Sequence, residues 1–377
     1  MRTISSEEKI TQLLCKPNLS HLEVQELEQL LVTHMDWSRV VGLLILHKTS
    51  ALSWLTIEKN IINKSNIKCI YPGLYRTLKS LYVMQKLRSE DQIKHLSTVC
   101  NALEKNGIKY VVLKGAIVSL TSYKNISVRD FNDNDILVHP NDLHVAQKTL
   151  KDLGYIQGLV NNKTKNIERS TRSELIKWSL ASHEVHPYVK SINSSPFSEY
   201  HYIDLHFSIR LNTNNRSDDI VKRLLKDSIV IKYNNQKLQS LMVEELLIFL
   251  CIHFFSEATQ IQDILKYKDL SLYKIADISY LVYNNDINWD KFTSLVKAYG
   301  VMKEVFFSFQ VVNSVHNDVI PDEVLGKIIY SDSEILNYVF DYNSDNILHK
   351  WDNEILERVF DFNRASFIHS IKESKIT

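Results

Sequence analysis

Two segments of the chain place carboxylates where neighbouring strands could present them together. Asp133 and Asp135 stand two residues apart in the run DNDILV, and alternate side chains of a strand share one face, about 6 to 7 Å apart. Asp204 lies in YIDLHFSI, where Ile203 and Leu205 belong to an apolar face and Asp204 to the opposite one. Burying carboxylates without a counter-charge is costly, so this pattern predicts a bound cation.

The ion that suits these acids follows from their chemistry. If the two strands are neighbours, Asp133, Asp135 and Asp204 converge and offer hard oxygen ligands to Mg²⁺, with Mn²⁺ as the other candidate. Such ions neutralise a triphosphate and stabilise the attacking and leaving oxygens of nucleotidyl transfer. We therefore take the three acids as the candidate metal ligands and catalytic residues.

A turn at Lys114-Gly115 precedes the acidic strand. A glycine that opens a helix lets backbone amides approach phosphate oxygens, where the helix dipole is positive. We expect Lys114, Gly115 and Arg129 to bind the nucleotide. The alternative for Lys114 and Arg129 is that they are ordinary solvated surface charges.

The elements that must position these residues form a mixed α/β segment. Tyr110 to Leu113, Asp133 to Val138 and His201 to Ile209 are predicted strands, and Asp142 to Leu153 is a predicted helix that ends at Gly154. The predicted fold class is α/β (α+β), a small mixed-sheet core flanked by helical segments. The predicted domains are a helical region over 1–106, a catalytic core over 107–212 and a mainly helical region over 213–377.

The flanking regions carry helix signals and no evident chemistry. Ser5 and Ser20 each stand three residues before a glutamate, the spacing of a capping box. After Tyr71-Pro72-Gly73, apolar residues recur at helical spacing to about Asn106, and this face is expected to pack on its neighbours. The face consists of Leu74, Leu78, Leu81, Met84, Leu87, Leu96, Val99 and Leu103. Further on, Ser228 to Leu238 predicts a hairpin turning on Asn234-Asn235.

The composition narrows the possible partners and location. Lys plus Arg number 45 and Asp plus Glu 44, so a net charge of +1 disfavours binding of nucleic acid by bulk charge. The four cysteines lie far apart and are expected to be reduced and structural. The amino terminus is polar, and the apolar segment Leu241 to Phe255 is shorter than the roughly 20 residues that a bilayer requires. We expect a cytoplasmic protein without a membrane partner.

The motifs together are similar to those of a known family. LKGAIVSL, then Arg129 four residues before DNDILV, the helix to Leu153-Gly154-Tyr155, and YIDLHFSI resemble the uncharacterised nucleotidyltransferase family of the polymerase-β-like superfamily. MDWSRVVGLL upstream, and EELLIFLCIHFF and KIADISYLV downstream, look like the flanking helices of that family. Two positions depart from the pattern: Gly115 stands alone where the superfamily often has Gly-Gly or Gly-Ser, and Asn134 replaces an apolar residue.

The resemblance implies an activity and roles for the three acids. In the superfamily the Asp-x-Asp pair binds the metals, and an acid on a later strand completes the set and orients or deprotonates the attacking hydroxyl. By matching motifs these roles fall on Asp133, Asp135 and Asp204. The implied substrates are an NTP and an unidentified hydroxyl acceptor, a small molecule or a protein, with release of pyrophosphate.

Two other interpretations remain open. One is a non-catalytic nucleotide-binding or interaction module, for example in a toxin-antitoxin pair. The other is a metal-dependent hydrolase, because imidazole nitrogens favour zinc or iron over magnesium. Its ligands would come from His183, His186, His201, Asp204 and His206. Taken singly, His206 is expected to be a hydrogen-bonded wall residue, and His253 and Asp277 are expected to serve packing.

Overall fold

The computed structural model describes residues 4–64, 67–192, 195, 197–209, 216–341 and 344–376. The chain forms two compact units, each made of separate stretches of sequence. The helical unit comprises Met1–Val83, Ser127–Arg129 and Leu250–Thr377, and the sheet unit comprises Met84–Ile126 and Asp130–Phe249. The three domains expected from the sequence stay a prediction.

The regular elements are numbered in chain order. The helices are α1 Ser6–Leu14, α2 His21–Leu31, α3 Trp37–Leu46, α4 Ser50–Ile57, α5 Pro72–Lys105, α6 Ala116–Thr121, α7 Leu143–Asp152, α8 Arg172–Ala181, α9 Asp218–Lys226, α10 Val243–Thr259, α11 Ile261–Ile264, α12 Leu272–Asn284, α13 Trp289–Tyr299, α14 Met302–Val315, α15 Asp322–Leu325, α16 Ile355–Phe360 and α17 Arg364–Ile376. The strands are β1 Tyr110–Val112, β2 Asp133–Val138, β3 Ile156–Val160, β4 Ile167–Arg169, β5 Tyr188–Ser191, β6 Tyr200–His206, β7 Ile229–Tyr233, β8 Gln236–Ser240, β9 Tyr338–Phe340 and β10 Ile347–Lys350.

The sheet unit is built on one mixed sheet. Over the described residues, eight strands follow the order β4-β3-β5-β6-β2-β1-β8-β7. The β2–β6 and β1–β8 pairs are parallel, and the other neighbours are antiparallel. Apolar residues of the central strands, including Val111, Ile136 and Leu205, are fully buried. The predicted α/β class, a mixed sheet flanked by helices, is confirmed.

Most predicted elements of the sheet unit are found close to their expected bounds. β2 has the predicted ends, and the hairpin of β7 and β8 turns at Asn234, whose φ is +50°. The strand predicted over His201 to Ile209 is instead Tyr200–His206, so its end was placed three residues too late. The sequence pattern did not predict β3, β4, β5 or α8.

The helical unit confirms the predicted helix starts. Ser5 accepts a hydrogen bond from Glu8 N at 3.3 Å, and Glu8 accepts one from Ser5 N at 3.0 Å. Ser20 and Glu23 repeat this capping box at α2. Leu14, Leu27, Val40 and Leu78 are fully buried in one apolar cluster of this unit. These amino-terminal helices therefore pack around a core of their own.

The apolar face predicted along α5 is correct at both ends and wrong in the middle. Leu74 and Leu78 are fully buried, as are Leu96, Val99 and Leu103. Met84 and Leu87 are exposed by 47% and 39%. The buried positions there are polar, namely Gln85, Ser89 and Gln92. Gln85 donates to Ser89 at 3.0 Å, and Gln92 accepts from Asn134 at 3.2 Å, so hydrogen bonds replace apolar contacts along this stretch.

Among the described residues, no single helix combines the length and apolar composition needed to cross a bilayer. One helix pair, Trp37–Leu46 with Ser50–Ile62, bent by 118° at its break, meets those two criteria jointly.

Candidate active site

Asp135 and Asp204 lie side by side at the centre of the sheet. β2 and β6 run parallel, with Asp135 opposite Asp204 in the strand register. Residues directly opposite each other in a sheet point to the same face, so both carboxylates share one side. Asp133 lies on that face too, opposite Tyr202 at the start of β2, where its side chain is exposed. The structure thus places the three predicted acids on one face, with Asp135 and Asp204 as direct neighbours.

Asp135 is the most buried of these acids, and a lysine and a histidine are among its neighbours. Its Oδ1 lies 3.2 Å from Lys114 Nζ and 2.9 Å from His206 Nε2. Its side chain is 4% exposed, that of Lys114 16% and that of His206 1%. These contacts fix the orientation of the carboxylate. They confirm that His206 is a hydrogen-bonded strand residue, and they place it against the acids.

A fourth carboxylate, Glu184, belongs to the same group and was missed by the sequence reasoning. Its Oε2 lies 3.3 Å from His206 Nε2, and its side chain is 16% exposed. Asp135, Glu184 and Asp204 each offer one oxygen, and these three oxygens lie within 4.8 Å of one another. Separations of this size allow one cation to be bound by all three. We call Asp133, Asp135, Glu184 and Asp204 the acid cluster.

Glu184 reaches the acid face because the strand register shifts by one residue beside it. Tyr188 pairs with Ile203, whose side chain lies on the face opposite the acids. Glu184 pairs with His206, on the acid face. Both 184 and 188 are even positions, so regular alternation would place them on the same side. The extra residue between the two pairings acts as a β-bulge, which alternation in the sequence does not reveal.

The acid cluster brings four carboxylates together, and two of them have raised pKa values. Burial raises the pKa of Asp204 well above its ordinary value, and Glu184, Asp135 and Asp133 raise it further, while Lys114 opposes the rise. Burial likewise raises the pKa of Glu184, opposed by His206 and Lys114 and increased by Asp135. Asp204 Oδ1 is buried and has no hydrogen-bond partner among the described residues. A buried acceptor without a partner is a costly arrangement that a bound cation relieves.

The donor set of the cluster fits a hard divalent ion. All ligand atoms that Asp135, Glu184 and Asp204 supply are carboxylate oxygens, the ligands that Mg²⁺ and Mn²⁺ prefer. Asp204 Oδ1, a buried oxygen that no described residue hydrogen-bonds, belongs to this group. The residues therefore fit the ion expected from the sequence.

The Lys114-Gly115 turn lies directly against the first acid of β2. Gly115 has a φ of +58°, and a Cβ added to it would approach Asp133 O to 3.2 Å and Phe131 Cδ2 to 3.1 Å. This close packing requires glycine for reasons of backbone geometry. Ser119 does not face outward from this turn, since its hydroxyl donates to Gly115 O at 3.2 Å and its side chain is fully buried.

Arg129, the third predicted nucleotide contact, forms an ion pair in the helical unit. Its Nε lies 3.1 and 2.9 Å from the two carboxylate oxygens of Asp277. Both side chains are buried, at 7% and 4% exposure. The guanidinium also lies over the ring of Tyr273, 5.7 Å from its centroid. Asp277 thus pairs with Arg129 inside the helical unit, and the contact of Arg129 with nucleotide stays a prediction.

The four histidines considered for a hydrolase site do not form one group. His201 lies on the face opposite the acids, where its Nε2 is 3.2 Å from Asn134 Nδ2 and its Nδ1 2.8 Å from the Tyr155 hydroxyl. Burial lowers the pKa of His201 to about 3, so this residue is a neutral member of a buried network. His186 lies 3.1 Å from the Ser170 hydroxyl. Of these four histidines, only His183 and His206 lie beside the acid cluster.

His253, the other histidine noted in the sequence, has a local partner. Its Nδ1 lies 3.2 Å from Glu257, one turn later on α10. This i,i+4 contact within the helical unit agrees with a packing role.

Comparisons with known proteins add one family match. A family model described as uncharacterised nucleotidyltransferase matches residues 33–317. Among solved structures, an antigenic nucleotidyltransferase-like protein from Paracoccidioides brasiliensis is 13% identical, with 57% of this chain and 92% of that chain covered and a TM-score of 0.29. A score this low carries no argument about the fold. No curated protein matches this chain.

Proposed function

The chain belongs to the uncharacterised nucleotidyltransferase family, which confirms the resemblance in its motifs, and on this premise we propose a Mg²⁺-dependent transfer of a nucleoside monophosphate. The donor is an NTP and the acceptor is a hydroxyl group of a small molecule or a protein. The hydroxyl oxygen forms a bond to the α-phosphorus, the bond from that phosphorus to the β-phosphate oxygen breaks, and pyrophosphate leaves. The hydroxyl proton passes to a carboxylate or to water.

The observation that supports this proposal best is the adjacency of Asp135 and Asp204. They are directly opposed on parallel strands, and a third carboxylate, Glu184, is within metal-binding reach of both. A divalent ion bound there would neutralise phosphate charge and stabilise the attacking and leaving oxygens. Mn²⁺ has the same ligand preference and is the alternative ion.

The surrounding residues orient the acids. Lys114 and His206 both contact Asp135 Oδ1 and hold that carboxylate in one orientation. Asp204 has a buried oxygen without a hydrogen-bond partner among the described residues, which supports assigning it to accept a proton or bind an ion. Asp133 is exposed at the start of β2, where a triphosphate could reach it from solvent. Lys114 and Gly115 form the turn beside Asp133, which is where we place the phosphates.

The net charge of the chain is the one property that bears on the class of acceptor. The net charge of +1 gives no bulk attraction to a polyanion, so an RNA or DNA end is the least favoured acceptor. A small hydroxylated molecule and a protein side chain both remain within the proposal.

The experiment is an α-phosphate transfer assay. The purified chain is incubated with each α-³²P-labelled NTP, Mg²⁺ and panels of small-molecule and protein acceptors, and both labelled product and pyrophosphate are measured. Transfer is expected with at least one acceptor, and Asp133→Ala and Asp135→Ala are expected to abolish it. Asp152→Ala, which removes an exposed carboxylate at the end of α7, is the matched control and should keep full activity.

The outcome also tests the alternatives. Mg²⁺-dependent NTP binding with no turnover for any acceptor would favour the non-catalytic module. Hydrolysis of a substrate by a protein purified with stoichiometric zinc or iron would favour the hydrolase.

A further inference from the structure

A second group of potential metal ligands adjoins the acid cluster and includes nitrogen atoms. His183, Glu184 and His206 each offer one ligand atom, and the three atoms lie within 4.8 Å of one another. Glu184 is common to this group and to the oxygen group with Asp135 and Asp204. The proposed magnesium chemistry uses the oxygen group and leaves His183 without a role.

Backbone pairing sets the positions of these three residues. Glu184 and His206 form an antiparallel bridge. On either side of it, Val185 N donates to Leu205 O and Phe207 N donates to His183 O, both at 3.0 Å. Backbone hydrogen bonds therefore pair the short segment 183–185 with the end of β6. Ligands held by paired backbone are preorganised for an ion, which lowers the ordering cost of binding.

The side-chain geometry also points to an ion. His206 Nε2 lies 3.3 Å from Glu184 Oε2, and His183 Nε2 lies 3.9 Å from the same oxygen. The two imidazole rings have centroids 4.9 Å apart. His206 Nε2 is therefore the nitrogen that faces Glu184, and it also lies 2.9 Å from Asp135 Oδ1. An imidazole nitrogen between two carboxylates holds either a proton or a metal ion, and the nearby His183 nitrogen favours the ion.

We propose that His183, Glu184 and His206 form a second cation site, which takes a borderline transition ion such as Mn²⁺, Co²⁺ or Zn²⁺. Two imidazole nitrogens and one carboxylate select such ions over Mg²⁺, whose preferred ligands are all oxygen. Glu184 then bridges the nitrogen site and the oxygen cluster. The site needs only its own residues and no nucleotide, so it does not depend on the proposed transfer.

The solvent exposure of the two histidines determines which one should be replaced to test the site. His183 is 15% exposed, whereas His206 is 1% exposed. Replacing His206 removes a fully buried side chain that also contacts Asp135, and such a variant can lose stability for reasons unrelated to an ion. His183→Gln therefore carries the test. His144→Gln, which replaces an exposed histidine on α7, is its matched control.

The experiment is a Co²⁺ titration of the full chain after chelator treatment, followed by visible absorption and repeated in excess Mg²⁺. One Co²⁺ per chain is expected to remain bound in the presence of Mg²⁺. His183→Gln should weaken that binding at least about tenfold, the scale on which ligand-shell changes act. Glu184→Gln should weaken it as well, whereas His144→Gln should bind like the parent chain. Circular dichroism verifies that each variant is folded.

Two results would overturn the proposal. One is Co²⁺ binding by folded His183→Gln that equals the parent in excess Mg²⁺. The other is displacement of all Co²⁺ by Mg²⁺, which would show a single oxygen site. Failure of the transfer assay with intact His183-dependent Co²⁺ binding would count against the proposed function and leave this site standing.

Discussion

Buried charge is arranged differently in the two units of the molecule. In the helical unit, Arg129 meets Asp277, and Arg364 meets Asp269 at 2.6 and 3.0 Å through two nitrogens. Each of these cations is matched with one buried acid. In the sheet unit, Lys114 contacts Asp135, and two further carboxylates lie within reach of the same point.

The difference distinguishes two kinds of buried charge, namely ion pairs that stabilise the fold and groups of like charge that a ligand can neutralise. A buried ion pair satisfies itself, and removing one partner leaves a costly charge behind. A buried group of like charges does not satisfy itself, and it persists where something from solution completes it. The raised pKa values of Asp204 and Glu184 agree with our proposal that the acid cluster is of the second kind. Replacing an acid of the cluster should therefore lower activity without lowering stability. Breaking a buried ion pair of the helical unit should instead lower stability.

The largest expected effect is on transfer activity. Asp204→Asn should lower kcat at least about a thousandfold, equivalent to about 4 kcal/mol of transition-state stabilisation, because it removes one of the charges that we propose bind the metal. The metal-free variant should be at least as stable as the parent, since like charges are no longer buried together. Transfer kinetics and thermal unfolding measure the two quantities. A variant that keeps activity, or that unfolds more easily, would show that Asp204 is a structural residue.

The next effect lies in the helical unit and concerns stability. Asp277→Asn should lower the free energy of unfolding by about 3 kcal/mol, because the Arg129 guanidinium loses its charged partner in a buried position. Urea unfolding followed by circular dichroism measures this loss. The double variant Arg129→Met with Asp277→Leu should recover most of it. Unchanged stability in Asp277→Asn would instead agree with Arg129 serving the nucleotide.

The acid cluster should also give the protein a characteristic dependence on pH. A carboxyl with a raised pKa keeps its proton longer in the folded chain, so metal-free stability should fall as the pH rises from about 4 through the raised values. Mg²⁺ at about ten times its Kd should add about 1.4 kcal/mol at neutral pH and flatten that slope. Thermal unfolding between acid and neutral pH, with Mg²⁺ or with a chelator, measures both. A slope that Mg²⁺ leaves unchanged would argue against binding by Asp204 and Glu184.

The smallest expected effect is on the free energy of unfolding, and it is measured by replacing one glycine in each unit. Gly115→Ala should cost about 1 kcal/mol, because φ is +58° and the new Cβ would approach Phe131 and Asp133 closely. Gly42→Ala, in α3 with nothing within 4 Å of the added Cβ, should stabilise the chain by about 0.5 kcal/mol. Chemical unfolding of both variants provides the comparison. Equal effects would mean that the Lys114-Gly115 turn is less constrained than its geometry indicates.

The sequence predicted the parts of this structure that depend on local pattern. The bounds of β2 followed from its alternation, and the capping boxes of α1 and α2 from two residue pairs. Asp133 and Asp135 share one face because side chains two residues apart do so in any strand. The convergence of Asp133, Asp135 and Asp204 was predicted on the condition that the two strands be neighbours, whereas the register that sets Asp135 opposite Asp204 was not predicted.

The parts that escaped prediction depend on distant or irregular pairing. Arg129 and Asp277 are 148 residues apart, and nothing local indicates that they meet. The polar middle of α5, at Gln85 and Ser89, depends on hydrogen bonds that a count of apolar residues does not register. Glu184 lay outside the prediction because the shift before Tyr188 breaks the alternation on which strand reasoning depends.

That one-residue shift has a consequence for how the site can vary. With the pairing of Tyr188 and Ile203 continued in regular register, the residue opposite His206 would be Val185, and Glu184 would turn to the other side of the sheet. The fourth acid therefore depends on the number of residues in the segment as well as on their types. A single deletion between Glu184 and Tyr188 would bring Glu184 opposite His206 in regular register, whereas loss of the bulge at the present length would put the isopropyl group of Val185 in the site.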